Sequence, residues 1–283
     1  MADVITGNTQ LGVTKQDVLT ALVQKELKFN AMLMPWITDV SQFAVKGAKS
    51  ISFPKFSSFA VTNRASATAG DASVITATQD QLLLDKNAYI AYIIDQMDAI
   101  QSTVDVDSLF AQRAGAAHAR YVDEQIILAL EAAAGFDLGT APITKDLIIA
   151  MRQKLKENDA DMNQLALLVS PAQEAEMLKI AEFTRADAYG SSNIPNGVIG
   201  KVFGVPVLVH NGMTSTSSIM FEKSALAVGF QSGPNYSEQA ANQYGALSKR
   251  VAIDQLFGLK AMQTAEKGAA AGKSPLIVVV DAD

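Results

Sequence analysis

The segment from residue 49 to residue 96 restricts the fold more than any other part of this sequence. Apolar side chains alternate with polar ones at both of its ends: Ile51, Phe53, Phe59 and Val61 in KSISFPKFSSFAV, and Ala88, Ile90, Tyr92 and Ile94 in LLLDKNAYIAYIIDQ. This period of two predicts two strands joined by a long, small and polar tip. Such an extended hairpin cannot bury both of its faces against its own core. It needs another surface to lie on, which is the first indication of an assembly protein.

Composition excludes several classes of protein. The chain has 283 residues, of which 49% are hydrophobic and 18% charged, enough for one large domain or two modest ones. The net charge of −6 argues against a basic nucleic-acid grip. The absence of cysteine removes disulfides and thiolate metal sites. No apolar run approaches the ~20 residues of a membrane span, and the first residues do not resemble a secretory signal. We expect a soluble cytoplasmic protein without a membrane partner.

Two long helices are predicted in the first half of the chain. Residues 14–34 have helical spacing and stop at Pro35, which suits an amphipathic arm that packs on a neighbour. Residues 103–134 form the clearest element, a rod of about 45 Å that ends at Gly135. Its predicted apolar face consists of Phe110, Ala114, Ala117, Tyr121 and Leu128.

The second half alternates between short helices and strands. Helices are predicted at 144–159 and 171–182, the latter opened by a capping box from Ser170 to Gln173. Strands are predicted at 165–171, 205–209, 218–222, 247–264 and 275–281, with loops at 184–197 and 231–245. The predicted fold class is therefore mixed α+β.

The candidate chemical motifs favour structural roles. The glycines at 197, 200 and 204 precede a strand and no helix follows, so they predict a turn and not a phosphate-binding loop. His118 and His210 lack partners at metal-ligand spacing. Asp105 and Asp107 lie where acids favour a helix N-terminus. We predict no catalytic, cofactor-binding or metal-binding residues, no cofactor and no enzyme activity.

A dense aromatic group near the hairpin predicts a contact surface. Aromatic residues are enriched at interfaces as anchors, although an ordinary local core is the alternative. The predicted subunit-interface residues are Trp36, Phe43, Phe53, Lys55, Phe56, Phe59 and Arg64.

Two segments resemble a known family. The stretch IIDQMDAIQSTVDVDSLFAQRAGAAHARYVDEQIILAL at 93–130 is similar to a strand-to-helix passage of the major capsid (coat) protein of tailed bacteriophages, the Johnson fold. Its matching positions are Asp95, Asp98, Ala99, Ala119, Asp123 and Ile127. The stretch IGKVFGVPVLVHNGM at 199–213 resembles the family's G-x-x-x-G-x-P-V strand.

The resemblance implies an N-terminal arm at 1–48, an extended loop at 49–95, a peripheral domain at 96–170 and 245–283 containing spine helix 103–134, and an axial domain at 171–244. It implies hexamers and pentamers in an icosahedral shell of the virion, assembled in the bacterial host cytoplasm around double-stranded DNA that is not bound tightly or specifically. A separate scaffolding protein and a portal are expected partners, and a decoration protein is a further candidate. An encapsulin-like nanocompartment shell is the alternative, and a small α+β enzyme a remote one. The lysine and asparagine of the family's isopeptide cross-link cannot be matched here.

Overall fold

The computed structural model describes residues 20, 23, 31–56, 77–95, 106–139, 142–180, 198–213, 216–241, 248–262 and 273–280. The strands are β1 (Thr38–Asp39), β2 (Ser50–Phe56), β3 (Ala77–Leu83), β4 (Lys86–Asp95), β5 (Ala134–Asp137), β6 (Leu165–Val169), β7 (Val198–Val202), β8 (Val205–Val209), β9 (Ser218–Glu222), β10 (Leu226–Ala240), β11 (Ser248–Ala261) and β12 (Ser274–Val280). The helices are α1 (Val106–Ala133), α2 (Lys145–Glu157) and α3 (Pro171–Lys179), with 3-10 turns at Met34–Trp36, Ser41–Phe43 and Lys223–Ala225.

The strands form three sheets. One has four strands in the order β1-β10-β11-β4, one has six in the order β5-β12-β9-β6-β8-β7, and β2 and β3 form a separate ribbon. The predicted mixed α+β class is confirmed.

The six-stranded sheet lies in the main core. Every residue of β6 (LALLV) and of β12 (SPLIVVV) is buried. A strand covered on both faces needs apolar residues without alternation, which explains these continuous runs. Helix α2 contributes Ile148, Met151 and Leu155 to the same core. The strands predicted at 165–171, 205–209, 218–222 and 275–281 are all present, within a residue or two at their ends.

Gly135 has a different role from the predicted one. Helix α1 ends at Ala133, and the chain continues directly into β5, which contains Gly135. A Cβ atom at Gly135 would lie 2.3 Å from the carbonyl oxygen of Ser274. The position therefore requires glycine because β5 and β12 approach closely, and not because a helix terminates there.

The capping box predicted at Ser170 is only half formed. Ser170 Oγ accepts a hydrogen bond from the Gln173 backbone N–H at 3.2 Å, as an N-cap should. The Gln173 side chain does not reach back. Its oxygen accepts from the Ile143 backbone N–H at 2.8 Å, and its nitrogen donates to the Thr216 carbonyl at 2.9 Å. Gln173 therefore joins the segment before α2 to the segment before β9.

The four-stranded sheet packs on α1 through one face of β11. Lys249 Nζ lies 2.7 Å from Asp107 Oδ1 at the start of the helix. Further along, the rings of Tyr121 and Phe257 meet edge to face with centroids 6.2 Å apart. Helix and strand therefore run side by side in the same direction. Asp107 lies in the first helical turn, as predicted, but it is also buried and paired.

Two strand assignments differ from the predictions. The hairpin partner of β2 is β3, with Ser50 opposite Leu83 and Phe56 opposite Ala77, whereas β4 pairs with β11. The loop predicted at 231–245 belongs mostly to β10, which pairs with β11 through irregular register between Phe230 and Asn235. Bulges accommodate turn-forming residues inside a paired strand, so the turn composition of this segment was misleading.

The buried side of α1 is broader than predicted. Ala114 is buried, and Phe110 and Tyr121 are half-buried, but Ala117 is exposed and Leu128 is 56% exposed. The helix is covered by both larger sheets, so its buried residues exceed a single stripe. They include Ala111, His118, Ala119, Val122, Asp123, Ile126, Ile127 and Leu130.

The predicted helix at 14–34 lies mostly outside the described residues. Thr20 and Val23 are helical. Residues 31–33 are not, and Pro35 lies within a 3-10 turn instead of directly after a helix.

Two buried polar side chains, His118 on α1 and Gln255 on β11, lie between the Asp107–Lys249 ion pair and the ring contact of Tyr121 with Phe257. His118 is 1% exposed, and within the described part of the chain its ring nitrogens make no hydrogen bond of regular geometry, although the Ile253 backbone interacts with the ring. Both amide atoms of Gln255 on β11 are likewise buried without a partner there. Desolvation lowers the pKa of His118 from its ordinary value, and the Ile253 backbone and the Asp254 carboxylate oppose this only in part.

We predict that acid destabilises the folded subunit through His118. The unfolded chain binds a proton below about pH 6.5, whereas the folded chain keeps His118 neutral to lower pH. Above the unfolded pKa, His118 is neutral in both states and does not lower the free energy of unfolding. As pH falls from there toward the folded pKa, the free energy of unfolding decreases by at most about 1.4 kcal/mol per pH unit. Between pH 7.5 and about pH 5, the free energy of unfolding measured by urea denaturation should depend less steeply on pH in His118→Leu than in the wild type. Gln112→Leu, at an exposed position of the same helix, is the control, and equal pH dependence in His118→Leu and wild type would contradict the prediction.

Candidate subunit-contact region

The segment 31–48 begins at a buried carboxylate on α1. Asp123 is 1% exposed and accepts hydrogen bonds from the backbone N–H groups of Met32, at 3.0 Å, and Leu33, at 3.3 Å. Residues 31–33 are not helical. An ionised acceptor strengthens such bonds. Asp123 therefore fixes the start of the segment on the long helix.

His210, directly after β8, faces the same carboxylate. Its Nε2 lies 3.7 Å from Asp123 Oδ2, and its Nδ1 accepts the Gly212 N–H at 2.9 Å. In the neutral ring the proton is therefore on Nε2, directed at Asp123. The carboxylate thus connects α1, the segment 31–33 and the end of β8. Sequence reasoning matched Asp123 to a family position but gave it no role; an acid on the buried side of a helix was the available signal.

The segment then runs along β10. Thr38 and Asp39 pair in parallel with Ala227 and Val228, and the Val40 N–H donates to the Val228 carbonyl at 2.8 Å. The side-chain nitrogen of Gln231 donates to the carbonyls of Val45, at 2.9 Å, and Ala48, at 2.7 Å. Backbone and side-chain bonds together hold residues 41–48, called the turn below, against the sheet.

This turn presents apolar side chains to solvent. Phe43 is 56% exposed and Val45 is 67% exposed, although the backbone around them is fixed. Exposed apolar groups on a rigid support are typical of contact sites.

The ribbon of β2 and β3 sits on the body through one face. A small cluster separate from the main core lies beneath it: Val40, Ile51, Leu82, Leu84 and Ala227, with Phe53 partly buried against it. Lys260 Nζ on β11 lies 3.0 Å from Asp80 Oδ1 on β3. The other face of the ribbon is exposed at Ser52, Pro54, Gln79, Gln81 and Leu83.

The predicted interface residues fall into three groups. Trp36 is half-buried against the main core and Phe53 against the small cluster, so the local-core interpretation accounts for part of both. Phe43 is exposed. Lys55 and Phe56 lie in β2, where their side chains are outside the description, and Phe59 and Arg64 lie outside the described residues altogether. A role in a subunit interface stays a prediction for all seven.

Gly204 forms the predicted turn. Phe203 and Gly204 have φ values of 49° and 83° and connect β7 to β8 in a tight hairpin, and Gly200 also has a positive φ of 72°. These values suit the two-residue hairpin turn in which both residues have positive φ.

Other functional features are few in the part of the chain that the structure describes. It contains no cluster of three or more His, Asp or Glu residues able to hold a metal ion. No helix in the same ranges is long and apolar enough to cross a membrane. A shallow cavity of about 370 Å³ lies on the sheet face opposite α1, where Arg250 hydrogen-bonds the Tyr89 hydroxyl beside Asp254.

Comparison with known proteins decides the family. A profile described as phage capsid protein matches residues 40–274. The chain belongs to the phage capsid protein family. Its role is that of a structural major capsid protein, and the resemblance of the sequence to tailed-phage coat proteins is confirmed.

Solved structures show the same fold for this phage capsid protein. A chain from Mycobacterium phage Che8 is 21% identical with a TM-score of 0.68, covering 89% of this chain and 91% of that one. The capsid structure of Cyanophage P-SCSP1u gives 13% identity and a TM-score of 0.68, covering 88% and 86%. The virus-like particle from Pyrococcus furiosus gives 12% identity and a TM-score of 0.62, covering 94% and 99%. No curated protein sequence matches.

We predict that Asp123→Ala loosens the segment 31–33. Two buried N–H groups lose their acceptor, which should lower the free energy of unfolding by about 1–3 kcal/mol. Urea denaturation measures that loss, and hydrogen exchange at Met32 and Leu33 should accelerate. Glu124→Ala, which removes the exposed neighbouring acid, is the control. Equal stability and exchange in both variants would show that Asp123 does not hold the segment.

Proposed function

We propose that this capsid protein assembles as hexamers and pentamers into an icosahedral shell that encloses the double-stranded DNA of a tailed phage. The observation that carries the proposal is that only one face of the β2–β3 ribbon is buried at its base. Its base is buried on the body at Ile51 and Leu82, while its opposite face is exposed. The ladder between β2 and β3 continues to Phe56 and Ala77. A ribbon with one buried face and one exposed face is suited to contact a neighbouring copy.

We propose the division into arm, extended loop, peripheral domain and axial domain as the functional organisation. Sheet membership supports drawing the boundaries by strand partners. The six-stranded sheet takes its strands from residues 134–222 and 274–280, and the four-stranded sheet takes most of its strands from residues 86–95 and 226–261. The first then corresponds to the axial domain and the second, with α1, to the peripheral domain. These proposed bounds differ from those predicted at 49–95, 96–170, 171–244 and 245–283: β5, β6 and β12 move to the axial domain, and β4 and β10 to the peripheral domain.

Contacts between copies are assigned to the ribbon and to the turn beside it. Phe43 and Val45 offer apolar surface on a backbone fixed by Gln231. Lys55 and Phe56 on β2 are also proposed contact residues, as are Phe59 and Arg64, which lie outside the described residues. Because Phe43 and the ribbon base both adjoin β10, one neighbouring copy can meet both.

The proposed partners follow from assembly and charge. A net charge of −6 disfavours tight binding of the shell to DNA, so the genome is enclosed without specific contacts. A separate scaffolding protein, a portal and a decoration protein are the proposed additional partners. Assembly takes place in the host cytoplasm, and the protein has no enzymatic activity. This chain shares its fold with the virus-like particle from Pyrococcus furiosus as well as with phage capsids, so the fold alone leaves the encapsulin-like alternative open. The family match favours a phage capsid.

The proposal is tested by negative-stain microscopy and light scattering of the expressed protein, alone and with its genomic neighbours. Closed shells or hexamer-sized rings are expected. A monomer in both samples would remove the proposed function.

We predict that replacing residues 57–76 by Asn-Gly abolishes assembly but not folding. Phe56 and Ala77 are paired, so a two-residue turn can close the ribbon there. The ribbon base and its small cluster remain intact, and a monomer of wild-type thermal stability is expected, with no shells in light scattering. A control with the same turn placed in the full-length tip, between Gly70 and Asp71, should still assemble. Shells formed by the shortened chain would contradict the prediction.

A further inference from the structure

Two glycines face each other beneath the ribbon. Gly229 on β10 and Gly258 on β11 are register partners. Phe257 packs on α1, so its neighbour Gly258 points to the opposite face of the sheet, where the ribbon lies. Glycine weakens a strand interior and often marks a close backbone approach. A pair of them, directly opposite, leaves a patch of bare backbone.

The ribbon backbone occupies that patch. A Cβ atom on Gly258 would lie 1.9 Å from the Leu83 carbonyl oxygen and 2.8 Å from its carbonyl carbon. A Cβ atom on Gly229 would instead meet Ile51 Cδ1, the far end of a flexible side chain, at 3.0 Å. The two glycines therefore differ: Gly258 contacts main chain, which cannot move aside alone, and Gly229 contacts a side chain, which can.

Two other interactions lie near Gly258, one between the two strands of the ribbon and one between the ribbon and β11. The Leu84 N–H donates to the Lys49 carbonyl at 3.0 Å, and the Asp80–Lys260 ion pair lies on the tip side of Leu83. Burial of the body-facing side chains decreases from Ile51 to Phe53. The ribbon thus crosses the sheet at Gly258. A displacement there tilts the ribbon relative to the sheet.

We infer that Gly258 sets the angle between the ribbon and the sheet beneath it, and with it the angle between neighbouring copies in the shell. The second half of this inference rests on the proposed function. In Gly258→Ala, the new Cβ atom would lie 1.9 Å from the Leu83 carbonyl oxygen, which must move until the two atoms are at the 3.4 Å or more of an ordinary contact. The ribbon therefore tilts away from β11, and copies that meet through it meet at a different angle.

The first experiment measures the angle in the isolated chain. The sequence has no cysteine, so Gln79→Cys on the ribbon and Ser237→Cys on β10 accept spin labels without interference. Pulsed electron resonance gives the distance between them. Gly258→Ala should shift the distance distribution by several ångströms, and Gly229→Ala should leave it near the wild-type value. An unchanged distribution in Gly258→Ala would overturn the inference, whatever the chain assembles into.

The second experiment measures shells without labels by cryo-electron microscopy. Gly229→Ala should give particles of wild-type diameter, and Gly258→Ala should give particles of altered diameter or open sheets. Wild-type particles from Gly258→Ala would overturn the link between ribbon angle and shell geometry. Failure of the wild type to form shells would instead count against the proposed function. The spin-label result would still decide whether Gly258 sets the angle of the ribbon.

A variant without steric conflict covers the case in which Gly258→Ala does not fold. Asp80→Asn removes the ion pair to Lys260 and leaves the glycine patch intact. The mean label distance should stay at the wild-type value, because the contact between Gly258 and the Leu83 main chain is unchanged. A shifted mean would overturn the inference, since it would assign the angle to the ion pair and not to the glycine contact.

Discussion

The pairing of β10 with β11 is the interaction on which the rest of the structure depends. Side chains alternate across a strand, so one face of this pair carries Phe257 and Val251 toward α1 and the core. The other face carries Gly258 and Lys260 toward the ribbon. A one-residue slip would exchange the two faces and lose both attachments together. The register of a single strand pair thus couples the stability of the body to the position of the ribbon.

Buried polar groups connect the segments that apolar packing alone would leave free to slide. Asp123 holds the segment 31–33, Lys249 joins β11 to the start of α1, and Gln173 bridges two loops. Each group has partners, so its desolvation is compensated. His118 and Gln255 differ, because their polar atoms make no hydrogen bond of regular geometry within the described ranges. The contact between α1 and β11 is therefore strongly specified at Asp107 and weakly specified near His118.

The sequence allowed the fully buried strands and the helix starts to be predicted, because their causes are local. Continuous apolar runs mark β6 and β12, and a hydroxyl cap marks the start of α2 at Thr144. Partners distant in the chain were not predictable in the same way. Alternation showed that β4 is a strand but not that it pairs with β11. Asp123 bonds amides 90 and 91 residues away, and no local pattern reveals that.

The candidate site shows the same division between local and distant causes. Aromatic density drew attention to the region around the ribbon base, but density does not separate a side chain that fills a core from one that faces solvent. Trp36 and Phe53 are partly covered, whereas Phe43 is exposed because Gln231 and β10 hold its turn outward. Such rigid presentation lowers the conformational entropy lost on association. The bonds that fix the turn and the ribbon base therefore reduce the entropic cost of the proposed contacts between copies.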